Sequence, residues 1–559
     1  ISLSSPSLFL STQWKVDDYL NGSDHYPIHL TLFQKPFNPN KKKPRFILTH
    51  ANWEKYQSSI INSLSNYNQT SNINRSAAKI IQCIHSAAVQ SVPKTKQSHR
   101  RYSVCWWNNK LFLLRTEKQR LWKNSLNNLS IENILLYKRA NAVFKREVKL
   151  AKRVSFVNFT KDINPNTSSA QLWHKVKLLS GNTTSTKIHS IEKNNGLLTT
   201  NSKEIATTFG QFWSNYSKDT QFPNEFVVNK SRMAIFSAPS YTLNSRAYQI
   251  ETPFTILEIQ SCLSSLKGTT PGQDCLSYPF FKNLPGVGIE KLIELFNNIF
   301  LTGAIPQQWK IATVIPICKP NKPKHIVENY RPISLLNCIS KILEKMIAKR
   351  LMWYLEESNL ISRNQYAFRS GKATTESLLV LDEIICNNLS SGNHISLLSF
   401  DSEKAFDRIG IHAVIDQLIE WKVGPRVINF VLNFLKNRKI RIHVNNSISS
   451  LFPLDNGIPQ GSPLSVALFL IATNKLSVII SNHKYFRHTI YADDLCLLVK
   501  ITNVDIFLEK LLDLYNQINF WCQYSGTKFS IQKSKHLHIC KKHNCSPINI
   551  NLNSLQMEN

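Results

Sequence analysis

The chain has no apolar run long enough to cross a bilayer. Near the motifs discussed below, its longest, Leu464 to Ala472, has nine residues with a serine among them, where a spanning helix needs about 20. That run predicts a buried core helix. A secretory leader is also lacking. The chain opens Ile1-Ser2-Leu3, without a methionine or a charged first region, and this opening reads as a fragment of a longer reading frame. Cysteines are odd in number, 11 in all, and scattered singly, which argues against a disulfide scaffold and for a reducing compartment. Together these absences predict an intracellular protein of cytoplasm and nucleus, with no membrane partner.

Acidic residues are scarce as well. Asp and Glu number 36 against 68 Lys and Arg, a formal charge of +32. The excess is concentrated: from Lys94 to Arg153 there are sixteen Lys or Arg and three Glu. Such a density suits a polyanionic partner, with an affinity that falls steeply with salt. It also suits a merely solvated helix face, and the two readings are compatible. At 559 residues with 42% hydrophobic content, the chain predicts several globular domains.

Composition divides the chain into three. Residues 1–35 are short and strand-like and contain Ser23-Asp24-His25-Tyr26-Pro27-Ile28. Residues 36–250 form a basic, mainly helical region. It opens on a linker with Lys41-Lys42-Lys43, and Leu136, Ala140, Val143, Val148, Ala151 and Val154 make an apolar stripe at helical spacing. Its last part, 181–250, is rich in Asn, Ser and Thr and predicts loops. Residues 251–559 change texture, with a helix predicted over Phe254 to Leu266.

Four aspartates in three short segments carry the chemistry. The segments are Ser399-Phe400-Asp401-Ser402-Glu403-Lys404-Ala405-Phe406-Asp407, then Gly457-Ile458-Pro459-Gln460-Gly461-Ser462-Pro463-Leu464-Ser465, then Tyr491-Ala492-Asp493-Asp494. Ile395 to Phe400 predicts a buried strand with Asp401 at its end, although Asp401 would also serve as a helix N-cap. Thr489 to Val499 predicts two strands around Asp493-Asp494, which a plain hairpin turn would explain equally well. Like charges packed closely repel unless a cation intervenes. A carboxylate cluster of this kind therefore implies a hard divalent ion, Mg2+ or Mn2+ rather than Zn2+. Two ions about 3.5–4 Å apart would clamp the attacking and leaving oxygens of an in-line displacement.

In their order, these segments resemble the fingers and palm of a reverse transcriptase of the non-LTR, LINE-type, jockey-like retrotransposons. The resemblance covers roughly Leu266 to Lys535. It also includes Trp309, Ile315-Pro316-Ile317-Cys318-Lys319-Pro320, Tyr330-Arg331-Pro332, the Gln365 to Gly371 segment and Lys528 to Ser534. It implies an α+β right-hand polymerase with an antiparallel palm sheet, core motifs over about 300–540 and a missing or incomplete thumb. It implies RNA-directed DNA synthesis on template RNA, with a DNA primer from target DNA, dNTPs and two Mg2+ or Mn2+ ions. Asp401, Asp493 and Asp494 would be the metal ligands, and Lys533 the acid for departing pyrophosphate. Arg331 and, less directly, Lys319 would hold the triphosphate. Phe406 would exclude a ribose 2′-OH, and Gln460 and Gly461 would lie against the templating pair. Ala367, Val466 and Cys275 depart from the family pattern in loops, away from these ligands.

Ser23-Asp24-His25 resembles the last motif of the apurinic-endonuclease-like domain that precedes such polymerases, with His25 as base beside Asp24. The metal-binding Glu and Asn expected upstream are not in the chain, so endonuclease activity is not expected. His536, His538, Cys540, His543 and Cys545 invite a zinc reading, but residues 536, 538 and 540 alternate on one strand face and lack pair-plus-pair spacing. A plain strand is the expectation there. Two rivals remain: a neighbouring polymerase, group II intron maturase-like or RNA-dependent RNA polymerase, and an inactive remnant that only binds RNA or DNA.

Overall fold

The computed structural model describes residues 12–19, 25–32, 44–95, 106–161, 163–164, 167–179, 187–193, 196–268, 270–541, 550–552 and 555–557. The chain forms two compact units, one of Ile1–Pro44 with Lys96–Thr186 and one of Arg45–Thr95 with Lys187–Asn559.

The first unit holds an antiparallel hairpin, Thr12–Val16 with Ile28–Leu32, and two long helices, Asn109–Asn127 and Ile131–Thr160. Asn108 and Ser130 cap them by accepting from the amides of Leu111 and Asn133, which satisfies donors that a helix start leaves open. The apolar stripe of the second helix is not a buried face: none of its residues is buried. The helices are joined instead by ring and charge contacts. Lys118 lies over Phe144, Trp122 packs on Tyr137 at 4.9 Å between centroids, and Lys110 pairs with Glu147 at 2.7 Å.

The second unit contains the motifs. In chain order its main elements are α1 (Ser202–Ser217), β1 (Ile311–Cys318), β2 (Tyr330–Leu335), α2 (Cys338–Glu357), α3 (Thr374–Ser390), β3 (His394–Asp401), α4 (Ala405–Arg408), β4 (Arg438–Val444), β5 (Phe452–Leu454), α5 (Pro463–Asn482), β6 (Phe486–Tyr491), β7 (Asp494–Ile501), α6 (Val504–Ser525) and β8 (Lys535–Ile539). The class is α+β. One mixed sheet runs β5-β4-β1-β2, and a second, wholly antiparallel, runs β6-β7-β3-β8.

The predicted loops over 181–250 are replaced in part by helices, of which α1 is the longest. Asn201 caps it by accepting from Lys203 N. Ile205, Phe209 and Trp213, four residues apart, are buried against Ala312, Val314, Ile440 and Ile442 of the mixed sheet. Polar composition misled here because three apolar residues at helical spacing suffice to seat a helix.

The nine-residue apolar run is likewise longer than read. It belongs to α5, 20 residues with a mean hydropathy of 1.8 in its most apolar stretch. By length and composition alone this helix could cross a membrane, but 72% of that stretch is buried inside the protein. Leu464, Leu468 and Ile471 enter the large helical core, and Leu476 and Ile480 the core beneath the antiparallel sheet. Each such side chain contributes about 1.5–3 kcal/mol, so α5 anchors both cores.

Candidate active site

Strand β3 delivers Asp401. Its alternation sends Leu398 and Phe400 into the core with Leu495, Leu497 and Trp521, and so leaves Asp401 on the other face at the strand's end. Asp401 is not a helix cap: α4 starts after Lys404, whose φ of 46° places it in the left-handed region, and no side chain caps it. The hairpin of β6 and β7 closes through Ala492-Asp493, with Tyr491 opposite Asp494. The left-handed residue of that turn is Ala492, φ 56°, rather than an aspartate. On its other side β7 pairs with β3, and Asp494 stands directly opposite Asp401, a backbone separation of about 4.5–5.5 Å. Asp493 is its chain neighbour.

The crowding has an electrostatic signature. The carboxyl of Asp494 is pushed up from the ordinary range, first by burial and then by Asp493 and Asp401, with Lys533 opposing. The segment after α6 is laced to β3: Ser530 N donates to Asp401 O at 2.8 Å, and Glu403 N to Lys528 O at 2.7 Å. This holds the turn Ile531–Lys533 beside the acids, and Lys533 Nζ reaches Asp401 Oδ2 at 2.5 Å. Lys319 lies in the same field. Burial lowers its pKa first, then Lys533, Arg331 and Lys322, while Asp401 opposes. Lys319 Nζ donates to Glu328 O at 3.3 Å. Arg331 is exposed on β2, opposite Ile317. Acids thus face a small group of cations.

The glycine-rich segment meets the segment of the first acid at Asp407. Gln460 Nε2 donates to both carboxylate oxygens of Asp407, at 3.2 and 3.3 Å, and Ser334 N donates to Gln460 O at 3.1 Å. Gly461 has φ 108°, and a Cβ there would lie 2.8 Å from the Ser334 carbonyl oxygen. The glycine is therefore needed by the protein's own backbone, before any base pair is considered. Phe406 is half-buried and stacks on Phe469 at 4.5 Å between centroids. Sequence reasoning passed over Asp407 and Lys404 as individual residues. Burial pushes the Asp407 carboxyl up to about 6, against Lys404 and Gln460, and lowers Lys404 to about 8. Both line a cleft with Trp213, Pro332, Arg438 and Gln460. Charged residues flanking Phe406, Lys404 two places before it and Asp407 directly after, were the available signal.

Carboxylate oxygens alone make a donor set for a hard divalent ion, and the three aspartates supply it from adjacent backbone positions. Their oxygens are not drawn into one cluster. Among the described residues, the three-residue group whose ligand atoms all lie within 4.8 Å of one another is His394, His538 and Cys540. Repulsion keeps like charges apart, and Lys533 takes up Asp401. Elsewhere, His25 is exposed on the approach to the second strand of the first unit's hairpin, and Asp24 lies outside the described residues, as do His543 and Cys545.

Residues 317–552 match the family described as reverse transcriptase (RNA-dependent DNA polymerase). The chain is 24% identical over 544 residues to the probable RNA-directed DNA polymerase from transposon BS of Drosophila melanogaster, covering 94% of this chain and 57% of that protein. It is 26% identical over 324 residues to the RNA-directed DNA polymerase from mobile element jockey of Drosophila funebris, covering 55% and 35%. It is 23% identical over 549 residues to the putative 115 kDa protein in type-1 retrotransposable element R1DM of Drosophila melanogaster, covering 94% and 50%. The chain thus spans about half or less of these relatives' length.

Proposed function

We propose, on the premise that residues 317–552 of this chain form a reverse transcriptase domain, that the protein is an RNA-directed DNA polymerase of a non-LTR retrotransposon. It would extend a DNA primer on template RNA with dNTPs, the primer coming from nicked target DNA. The observation that carries this reading is the pairing of Asp401 with Asp494, with Asp493 in the adjoining turn.

Reverse transcriptases generally use divalent metal ions. Asp401 and Asp493, assisted by Asp494, would hold two, Mg2+ or Mn2+. Bound there, such ions supply charge neutralisation for phosphoryl transfer. The remaining work falls to the chain. Arg331 would grip the triphosphate, which its planar fork suits, with Lys319 adding charge beside it. Lys533 would move from Asp401 to protonate departing pyrophosphate. Phe406, braced by Phe469, would close the space a 2′-OH needs. Gln460 and Gly461 would support the templating pair, with Asp407 fixing the Gln460 amide. Catalysis would then be chiefly positioning and electrostatics.

In the same reading, residues 251–559 are the fingers and palm, 36–250 a basic helical region that meets nucleic acid, and 1–35 the tail of an endonuclease-like domain with Asp24 and His25 as its remnant. The protein would act in cytoplasm and nucleus. Primer extension on an RNA template tests the function. Incorporation of dNTPs that greatly exceeds that of rNTPs is expected. RNA binding without extension in Mg2+ or Mn2+ would mark an inactive remnant instead, and equal use of rNTPs another class of polymerase.

A further inference from the structure

At the other end of β3 from Asp401 lies a second set of ligand atoms. His394 begins the strand, seven residues from Asp401, a distance of about 23 Å at strand rise. The sheet's edge strand, β8, runs antiparallel beside it, with His538 opposite Ser396 and Ile539 opposite Ile395. Continuing that register by one residue brings Cys540 opposite His394. Residues opposite one another share a sheet face, so His394, His538 and Cys540 converge on one side. His394 Nδ1 and His538 Nε2 are 3.1 Å apart, and the two imidazoles and the Cys540 thiol place one ligand atom each within 4.8 Å of the other two. All three are half-buried, which leaves an ion a route in.

We propose that His394, His538 and Cys540 form a transition-metal site that takes Zn2+, separate from the carboxylate site. With Zn–N near 2.0–2.1 Å and Zn–S near 2.3 Å, ligand atoms around a tetrahedral ion stand about 3.3–3.7 Å apart. The observed group needs only small side-chain shifts to reach that spacing. Two imidazoles and a thiolate select zinc over the hard ions that carboxylates prefer. Three protein ligands leave a fourth position for water. Alternation along β8 places His538 and Cys540 on one face, which by themselves cannot surround an ion; His394 from the adjacent strand supplies the third direction. An ion there would tie the edge strand to the strand that carries Asp401, and so steady the segment that presents Lys533.

The test uses the full chain, reduced, stripped with a chelator, loaded with zinc sulfate and desalted. Retention of about one zinc per chain is expected, with affinity at least about tenfold weaker in His394→Gln, His538→Gln and Cys540→Ser. Cobalt in place of zinc should give a thiolate charge-transfer band that disappears in Cys540→Ser. Should a variant fail to fold, the cobalt spectrum of the unaltered chain still decides. Unaltered chain that keeps no zinc and shows no such band would leave His394 and His538 as an ordinary imidazole hydrogen bond and overturn the site. So would variants that retain zinc as well as the unaltered chain.

Discussion

Lys533 Nζ lies 2.5 Å from Asp401 Oδ2, so a cation from the chain itself sits on the carboxylate proposed to hold metal. A divalent ion must compete with it. In Lys533→Met the competitor and the proposed acid vanish together. The Mg2+ concentration for half-maximal incorporation should fall several-fold, while turnover falls by about 10²-fold or more, the usual contribution of a positioned acid. Stability should hardly change, because the lysine is 60% exposed and surface pairs contribute little. A Mg2+ titration of the incorporation rate reads both effects. An unchanged midpoint would mean that Lys533 does not compete at Asp401.

Gly461→Ala would bring a Cβ to 2.8 Å from the Ser334 carbonyl at φ 108°. The strain should cost about 1–3 kcal/mol and displace Gln460, whose own carbonyl accepts from Ser334 N. Thermal unfolding should register the loss, and extension should slow even on saturating template and primer. Wild-type stability in this variant would show that the loop relaxes freely.

The Asp407 carboxyl, raised to about 6 by burial, prefers its proton in the folded state more than in the unfolded chain. Its contribution to stability is therefore most favourable below about pH 4 and is lost as pH rises through about 6. Asp407→Asn removes that titration. Relative to wild type, the variant should gain stability progressively from pH 4 to pH 6 and then level off. Denaturant unfolding at several pH values checks this; a difference that is flat with pH would contradict it. The same change loosens the Gln460 amide, so extension should fall even as stability improves.

Phe469 is buried and stacks on Phe406 at an interplanar angle of 17°. Phe469→Leu keeps an apolar side chain but removes the flat brace, at a cost of about 1–2 kcal/mol. Discrimination between dNTP and rNTP in primer extension should weaken, with dNTP turnover less affected. Unaltered discrimination would separate Phe406 from sugar selection.

The sequence shows its acids more clearly than their supports. Asp401 at a strand end and Asp493-Asp494 between strands are legible because apolar runs of strand length flank them. The left-handed Ala492 is not, since alanine carries no turn signal. Nor is the need for glycine at 461, which comes from Ser334, more than a hundred residues away. The helix of α1 hid in polar composition, and the apolar stripe of Ile131–Thr160 buries none of its residues. Periodicity reports where apolar residues align, not whether a partner covers them. The gathering of His394 with His538 and Cys540 depends on strand order and register, which no local window contains.

The claim beneath the rest is that Asp493 and Asp401 share the work of holding the divalent ions. Homopolymer-templated dNTP incorporation by wild type and Asp493→Asn, beside RNA binding measured at several salt concentrations, tests it most directly. Incorporation should drop by several orders of magnitude, with RNA affinity and its salt dependence unchanged. Equal incorporation by the two proteins would contradict the account.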